Sequence, residues 1–316
     1  MSTVLALSGG VGGAKLVHGL AQVLPAEQLV VCCNTGDDFT HVGQHVCPDI
    51  DTVLYTLSGL ANPELGWGRA DETWHFMDTM AVLGGETWFR LGDADLAMHV
   101  VRSQALAAGQ SISAITADLA RRLGVAPTIA PMSDQPVSTI VLTPDGELAF
   151  QHYFVRERCA PVVTGFRFEG AAAAKPAPAV AATLGDPKLR AILFCPSNPY
   201  VSLGPILAVK DIAAALARRR APAIAVSPIV GGVAIKGPAA KMMAELGQEV
   251  SATAVARLLR PYIDGFVIDD TDADQADGIR SMGLKVEVAP TVMRNTADKR
   301  ALAEAMLAFA DRMRTA

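Results

Sequence analysis

The sequence predicts an α/β protein: a Rossmann-like, doubly wound, mostly parallel sheet (an αβα sandwich) with an inserted smaller, largely helical domain containing a β-hairpin. Three observations predict it. An apolar run close to the N-terminus ends in a cluster of glycines and is followed by a helical pattern. Short apolar runs separated by helical patterns return in the last third of the chain, and such alternation builds parallel sheets covered on both faces. The stretch between has a different texture, first helical and then hairpin-like.

Thr3-Val4-Leu5-Ala6-Leu7 reads as the first buried strand, and the apolar residues from Ala14 to Leu24 repeat at helical spacing until Pro25. Leu29-Val30-Val31-Cys32-Cys33 reads as a second buried strand, completing a βαβ unit that opens into the polar loop Asn34-Thr35-Gly36-Asp37-Asp38. Residues from about Asp51 to Leu123 are helical in pattern, and Ser138 to Phe154 is a hairpin turning through Pro144-Asp145-Gly146. The sheet resumes with Ala191–Cys195, Ala223–Val226, Phe266–Ile268 and Val286–Val288, after the linker-like Lys175-Pro176-Ala177-Pro178. The expected division is therefore a nucleotide-binding core of residues 1–50 and 180–316 with 51–179 inserted as the smaller domain.

Composition narrows the function classes. A chain of 316 residues that is 51% hydrophobic and 19% charged buries a large core. Its net charge of -5 supplies no field for gripping a nucleic-acid backbone, and Arg218-Arg219-Arg220 is too short a run to change that. The five cysteines form no C-x-x-C pair, so reduced thiols are expected rather than a zinc knuckle or a disulfide framework. The first residues lack the basic and long apolar regions of a secretion signal, and no apolar run reaches membrane-spanning length. A cytoplasmic protein that engages neither membrane nor nucleic acid is expected.

The chemistry begins at Ser8-Gly9-Gly10-Val11-Gly12-Gly13. A glycine-rich turn entering a helix offers backbone N–H groups and the positive end of the helix dipole to a phosphate. It is not a dinucleotide fingerprint, because Lys15 stands where the third glycine belongs. It is not a Walker A sequence either, because Ala14 replaces its second glycine and Leu16 offers no hydroxyl to magnesium. The duty of holding Mg²⁺ falls instead on the carboxylates at the same expected sheet edge: Asp37 and Asp38, then Asp49 and Asp51 in Cys47-Pro48-Asp49-Ile50-Asp51. A base for a hydroxyl nucleophile belongs in the same group, while helix capping is the bland alternative for any one of them.

Trp88-Phe89-Arg90-Leu91-Gly92-Asp93-Ala94-Asp95 sets an arginine and two acids beside aromatics, which suits a polar heterocycle, or else an ordinary Arg–Asp surface pair. Cys195-Pro196-Ser197-Asn198-Pro199 follows a core strand, so Ser197 and Asn198 are expected over the sheet's C-terminal edge as nucleobase or phosphate contacts. Pro228-Ile229-Val230-Gly231-Gly232 repeats that arrangement, and the nearby Lys236 is either a phosphate contact or a solvated lysine. His41 and His45 have helical spacing but lie in a glycine-containing loop without a zinc pattern. No nucleophile elbow or papain-type cysteine motif is present.

Taken together, Leu7–Lys15, Asn34–Asp38, Cys47–Tyr55 and Pro196–Pro199 resemble the CofD (FbiA) family of 2-phospho-L-lactate transferases, with the motifs in family order over nearly the whole chain. The resemblance implies transfer of a phospho-acyl unit (phospholactyl, phosphoenolpyruvyl or phosphoglyceryl) from a guanosine diphospho-linked donor to the ribityl hydroxyl of 7,8-didemethyl-8-hydroxy-5-deazariboflavin (Fo). GMP leaves, and coenzyme F-420 without its glutamate tail, or the dehydro form, results. It further implies deazaflavin contacts at Asp51 and Arg90 and guanosine diphosphate contacts at Gly10, Gly12, Gly13, Ser197 and Asn198, with Lys15 of the same motif a further expected binding residue. On that reading Asp37 and Asp51 are the expected catalytic residues, either of which could hold Mg²⁺ while the other acts as base, and the family implies a homodimer. Two rivals are a YvcK-like nucleotide-sugar-binding regulator and a dinucleotide-dependent oxidoreductase. The Cys47–Asp51 and Leu91–Asp93 segments weigh against the first, and the missing third glycine against the second. Which phospho-acid is transferred is not legible in any of these residues.

Overall fold

A computed structural model describes residues 2–64 and 66–315. Its centre is a sheet of seven parallel strands in the spatial order Lys285–Val288, Gly265–Ile268, Ala223–Val226, Ala191–Phe194, Val4–Ser8, Leu29–Cys33, Thr128–Pro131. The central strands are apolar at nearly every position because both faces are covered. Alternate side chains go to opposite layers, as strand geometry requires. Val4, Ala6, Val31 and Cys33 pack under the helices Gly10–Val23, Pro48–Ser58, Ile112–Arg122 and Thr296–Thr315. Leu5, Leu7, Cys32 and Phe194 face the opposite layer, built from Pro178–Gly185, Leu203–Ala208, Lys210–Ala217 and Ala252–Leu259. The doubly wound α/β architecture expected from the alternating pattern is thus present.

The expected boundary of the inserted region needs correction. Thr128–Pro131 lies within residues 51–179, yet it pairs in parallel with Leu29–Cys33 as the last strand of the main sheet. Pro48–Ser58 and Ile112–Arg122, which straddle or lie in the same stretch, cover that sheet rather than a separate core. A four-residue strand that stops at a proline carries too little pattern to stand out between helices. What does stand apart is a three-stranded antiparallel sheet of Ser138–Thr143, Gly146–Ala149 and Gly165–Glu169, whose first two strands are the expected hairpin. A short hairpin, Phe39–His41 with Gln44–Val46, also replaces the plain loop expected there, turning through Val42 and Gly43 in left-handed backbone. It places His41 and His45 on strands, not on one helical face.

The strand order reverses beside Val4–Ser8, whose neighbours are Leu29–Cys33 on one side and Ala191–Phe194 on the other. In open α/β sheets a crevice forms at the carboxyl ends of the strands where the order switches. The glycine turn and the Cys195–Asn198 loop both leave the sheet at that place.

Candidate functional site

The two loops at the switch point are stitched together. Gly9 N–H donates to Ser197 Oγ at 3.3 Å, and the Ser197 hydroxyl donates back to the Gly9 carbonyl at 2.8 Å. Gly10 opens the following helix at φ +67°, a conformation that favours glycine, and a Cβ on Gly12 would lie 2.2 Å from the Pro196 carbonyl oxygen. Glycine here lets two backbones touch, and the helix's first N–H groups, which have no intrahelical acceptor, face outward, that of Gly10 onto Asp49.

An acidic group adjoins this turn. Gly10 N–H donates to Asp49 Oδ1 at 2.7 Å, and Asn34 Nδ2 reaches Asp49 Oδ2 at 2.9 Å, Asp37 Oδ2 at 3.1 Å and the Val201 carbonyl at 3.2 Å. Asn34, at the end of the second strand, is therefore the clamp between two carboxylates. Burial, then the proximity of Asp49 and Asp38, pushes the Asp37 carboxyl well above the usual range. Burial likewise raises Asp49, against the pull of the Gly10 N–H and the Asn34 amide.

Orphaned polar atoms mark the same edge. Among the described residues, Ser8 Oγ, Thr35 Oγ1 and Asp37 Oδ1 are buried without a well-formed hydrogen bond, as is the hydroxyl of Thr139 beside Asp37. Ser8, Thr35 and Asp37 thus leave hydrogen-bonding capacity at the carboxyl ends of adjoining strands, where ligands bind in open α/β sheets.

Asp51 is placed elsewhere. It sits two residues after Asp49 on the helix Pro48–Ser58, and residues at that spacing do not share a face. Asp49 faces the glycine turn, while both Asp51 oxygens accept from the guanidinium of the fully buried Arg102, which also contacts His99 Nδ1 at 3.1 Å. His99 in turn lies 3.4 Å from Asp95, and the Tyr55 hydroxyl donates to Asp95 at 2.5 Å. Asp51, expected to hold Mg²⁺ and contact the deazaflavin, has both carboxylate oxygens on Arg102 in this arrangement. Asp49 is the carboxylate that shares the Asn34 amide with Asp37 beside the glycine turn.

The remaining expected residues separate into those at the crevice and those beside it. Gly10, Gly12, Gly13 and Ser197 converge at the switch point. Asn198 holds its own loop, accepting from the Tyr200 and Val201 N–H groups at 2.9 and 3.4 Å. Lys15, on the glycine helix, donates to the Met293 carbonyl at 3.0 Å. Arg90 is exposed, pairs with Asp78 at 3.1 Å and lies 4.8 Å over the Trp74 ring. The adjacent Phe89 and Trp88 do approach the site, since their rings pack on Phe39 at 4.8 and 5.9 Å, one residue beyond Asp38, and Trp88 also meets His152 at 4.8 Å.

Asp38, His45 and Cys47 bring ligand-type atoms within 4.8 Å of one another. Burial holds Cys47 as a neutral thiol, and the charge of Arg102 acts on both Cys47 and Asp38, so this trio is a hydrogen-bonded extension of the Arg102 network.

The family model described as 2-phospho-L-lactate transferase CofD matches residues 4–304. The chain belongs to the CofD family. Among its relatives, a phosphoenolpyruvate transferase of Streptomyces coelicolor is 41% identical over 99% of both chains, and one of Kitasatospora aureofaciens is 42% identical over 98% of both. A 2-phospho-L-lactate transferase of Methanosarcina acetivorans is 37% identical over 98% of this chain and 99% of its own. Protein BH3568 of Bacillus halodurans, described as a member of the upf0052 family, shares the fold with a TM-score of 0.65 at 14% identity, over 97% of this chain and 98% of that one.

Within this CofD chain, Asn34 was not singled out from sequence, and Asp49 was named only as one of four carboxylates expected to hold Mg²⁺. Both stood inside quoted motifs, and the available signal was positional: Asn34 ends a core strand, and Asp49 starts a helix whose N-terminus meets another helix's N-terminus.

Proposed function

We propose that this enzyme transfers a phospho-acyl group from a guanosine diphospho-linked donor to the ribityl hydroxyl of Fo, releasing GMP, as a step of coenzyme F-420 biosynthesis. The observation that carries the reading is the junction of the glycine turn with Asp37 and Asp49 through Gly10 and Asn34. It sets an anion cradle against buried carboxylates, and phosphoryl transfer asks little more of a protein than positioning and charge compensation. The diphosphate lies along the helix N-terminus, whose N–H groups stabilise the charge that develops on the phosphoryl oxygens.

A divalent cation fits the residues present. Asp37 offers an unpartnered oxygen, Asp49 two oxygens that each accept a single hydrogen bond, and the two raised carboxyls form the kind of pair that a cation relieves. Mg²⁺ held by Asp37 and Asp49 would supply neutralisation of the donor's diphosphate. Either carboxylate then serves as the base that accepts the proton of the attacking hydroxyl. The acceptor's ring system is assigned to the aromatic wall of Phe39, Trp88, Phe89 and His152, next to the acidic group.

For the transferred acid, phosphoenolpyruvate is favoured, because the relatives at 40–42% identity are phosphoenolpyruvate transferases whereas the phospholactate transferases are at 35–37%. The enzyme is proposed to act in the cytoplasm as a homodimer. Mixing the protein with Fo, Mg²⁺ and NAD tests the reading. A spectral shift of bound deazaflavin without nicotinamide binding supports it, and nicotinamide binding without a deazaflavin response would replace it with the oxidoreductase.

A further inference from the structure

The chain leaves the sheet at Asn34 and comes back to the glycine turn at Asp49, and between those points it forms the hairpin of Phe39–His41 with Gln44–Val46. The inner end of this excursion is held by the Asn34 amide, which ties Asp37 to Asp49. Its outer end is held by the helix Asp93–Ala107. Ser103 Oγ accepts from the His45 N–H at 2.8 Å, and the Arg102 guanidinium donates to the His45 carbonyl at 3.3 Å. Both backbone polar groups of one residue in a two-stranded hairpin are thus taken by successive side chains of one helix.

The same guanidinium reaches past the hairpin to the helix Pro48–Ser58, where it donates to both oxygens of Asp51 in the fork-like manner open to arginine. Asp51 and Tyr55, four residues apart, share one face of that helix, and Asp95, His99 and Arg102 share one face of Asp93–Ala107. The two helices are therefore tied twice, at Asp51–Arg102 and at Tyr55–Asp95. Asp49 stands two residues before Asp51, on the side turned to Gly10 and Asn34. Opposed ties set the rotation of this helix about its axis: the glycine turn holds Asp49 in front, and Arg102 holds Asp51 behind.

We infer that Arg102 is a positioning residue of the transfer: through the His45 carbonyl and Asp51 it sets the aromatic wall that receives the acceptor's ring against the carboxylates that receive the acceptor's proton. This rests on the transferase reading of the site. Arg102 is fully buried and touches no reactant. It acts on the hairpin that carries Phe39 and on the helix that presents Asp49, so one side chain governs the distance between the place where the acceptor is held and the place where it reacts. Alignment of that kind is a large part of phosphoryl-transfer catalysis, and a remote change that misplaces a reactant by about 1 Å costs about 100-fold in rate.

The test is steady-state GMP release from guanylylated phosphoenolpyruvate at varied Fo, with calorimetric GMP binding and denaturant unfolding measured on the same full-length preparations. Arg102→Met combined with Asp51→Leu removes the pair without stranding a charge and keeps the Tyr55–Asp95 tie, so this double variant keeps the fold. It is expected to bind GMP within about twofold of wild type while kcat falls about 100-fold. Arg102→Lys keeps the charge but not the fork, and its kcat is expected between those of wild type and the double variant. Ser103→Ala loosens only the hairpin and is expected to raise the KM for Fo about fivefold, the scale of one hydrogen bond, with a smaller fall in kcat. A folded double variant with wild-type kcat would overturn the assignment, as would an unchanged KM for Fo in Ser103→Ala. A GMP affinity that falls as far as kcat would overturn it too, since that marks a general loss of the site. A wild type that releases no GMP in the presence of Fo would instead remove the transferase reading beneath it.

Discussion

Asp49 accepts a hydrogen bond from the Gly10 N–H at 2.7 Å, and this contact joins the N-terminus of the Pro48–Ser58 helix to that of the glycine helix. A carboxylate so placed bounds the proposed phosphate cradle on its acidic side. Replacing Asp49 with Asn points an amide nitrogen at either Gly10 N–H or Asn34 Nδ2, both donors. Turnover in a GMP-release assay is expected to fall by about 100-fold or more, the scale of losing a preorganised electrostatic group.

At Asp37 stability and the proposed activity are expected to pull apart. Its folded pKa lies above the unfolded value, so ionising it costs the folded state, and its contribution to stability is largest at low pH and lost as pH rises through the folded value. Asp49 acts in the same sense, with its carboxyl raised to about 6. Asp37→Asn keeps the acceptor for Asn34 and removes the repulsion. In metal-free buffer at neutral pH it is expected to be more stable than wild type by about 1 kcal/mol, with a flatter pH dependence, while transfer is lost. Thermal melts from acid to neutral pH, paired with turnover, read both.

Arg102 and Asp51 form a buried ion pair. Removing one partner strands a charge, so Arg102→Met is expected to cost about 3–5 kcal/mol in denaturant unfolding. Adding Asp51→Leu to that variant should recover most of the loss. A direct metal-binding role for Asp51 would show instead as a change in Mg²⁺ dependence at unchanged stability.

Gly12→Ala places a methyl group 2.2 Å from the Pro196 carbonyl, so the glycine turn and the Cys195–Asn198 loop must separate. The variant is expected to lose guanine-nucleotide binding in calorimetry and about 1–3 kcal/mol of stability, typical of overpacking.

The sheet was legible because its core strands are apolar at successive positions and end in glycines or polar loops, as in Val4–Ser8 and Leu29–Cys33. Thr128–Pro131 was not, since four residues at a sheet edge carry little periodicity. In the site, the glycine turn and Asp37 could be named from spacing to strand ends. Choosing between Asp49 and Asp51 could not, because helix phase depends on where the helix starts, and Pro48 sets that start. Arg90 was placed by its aromatic neighbours, and they do pack near the site, but the guanidinium turns out to Asp78 and Trp74.

The central claim is phospho-acyl transfer, and product analysis addresses it most directly. The enzyme is incubated with Fo, Mg²⁺ and equal amounts of the guanylylated forms of phosphoenolpyruvate, 2-phospho-L-lactate and phosphoglycerate, and the products are resolved by mass spectrometry. The account predicts Fo carrying one phosphoenolpyruvyl group as the main product, with one GMP released per product formed. Recovery of unmodified Fo from all three donors, or guanylylated Fo in place of a phospho-acyl product, would contradict it.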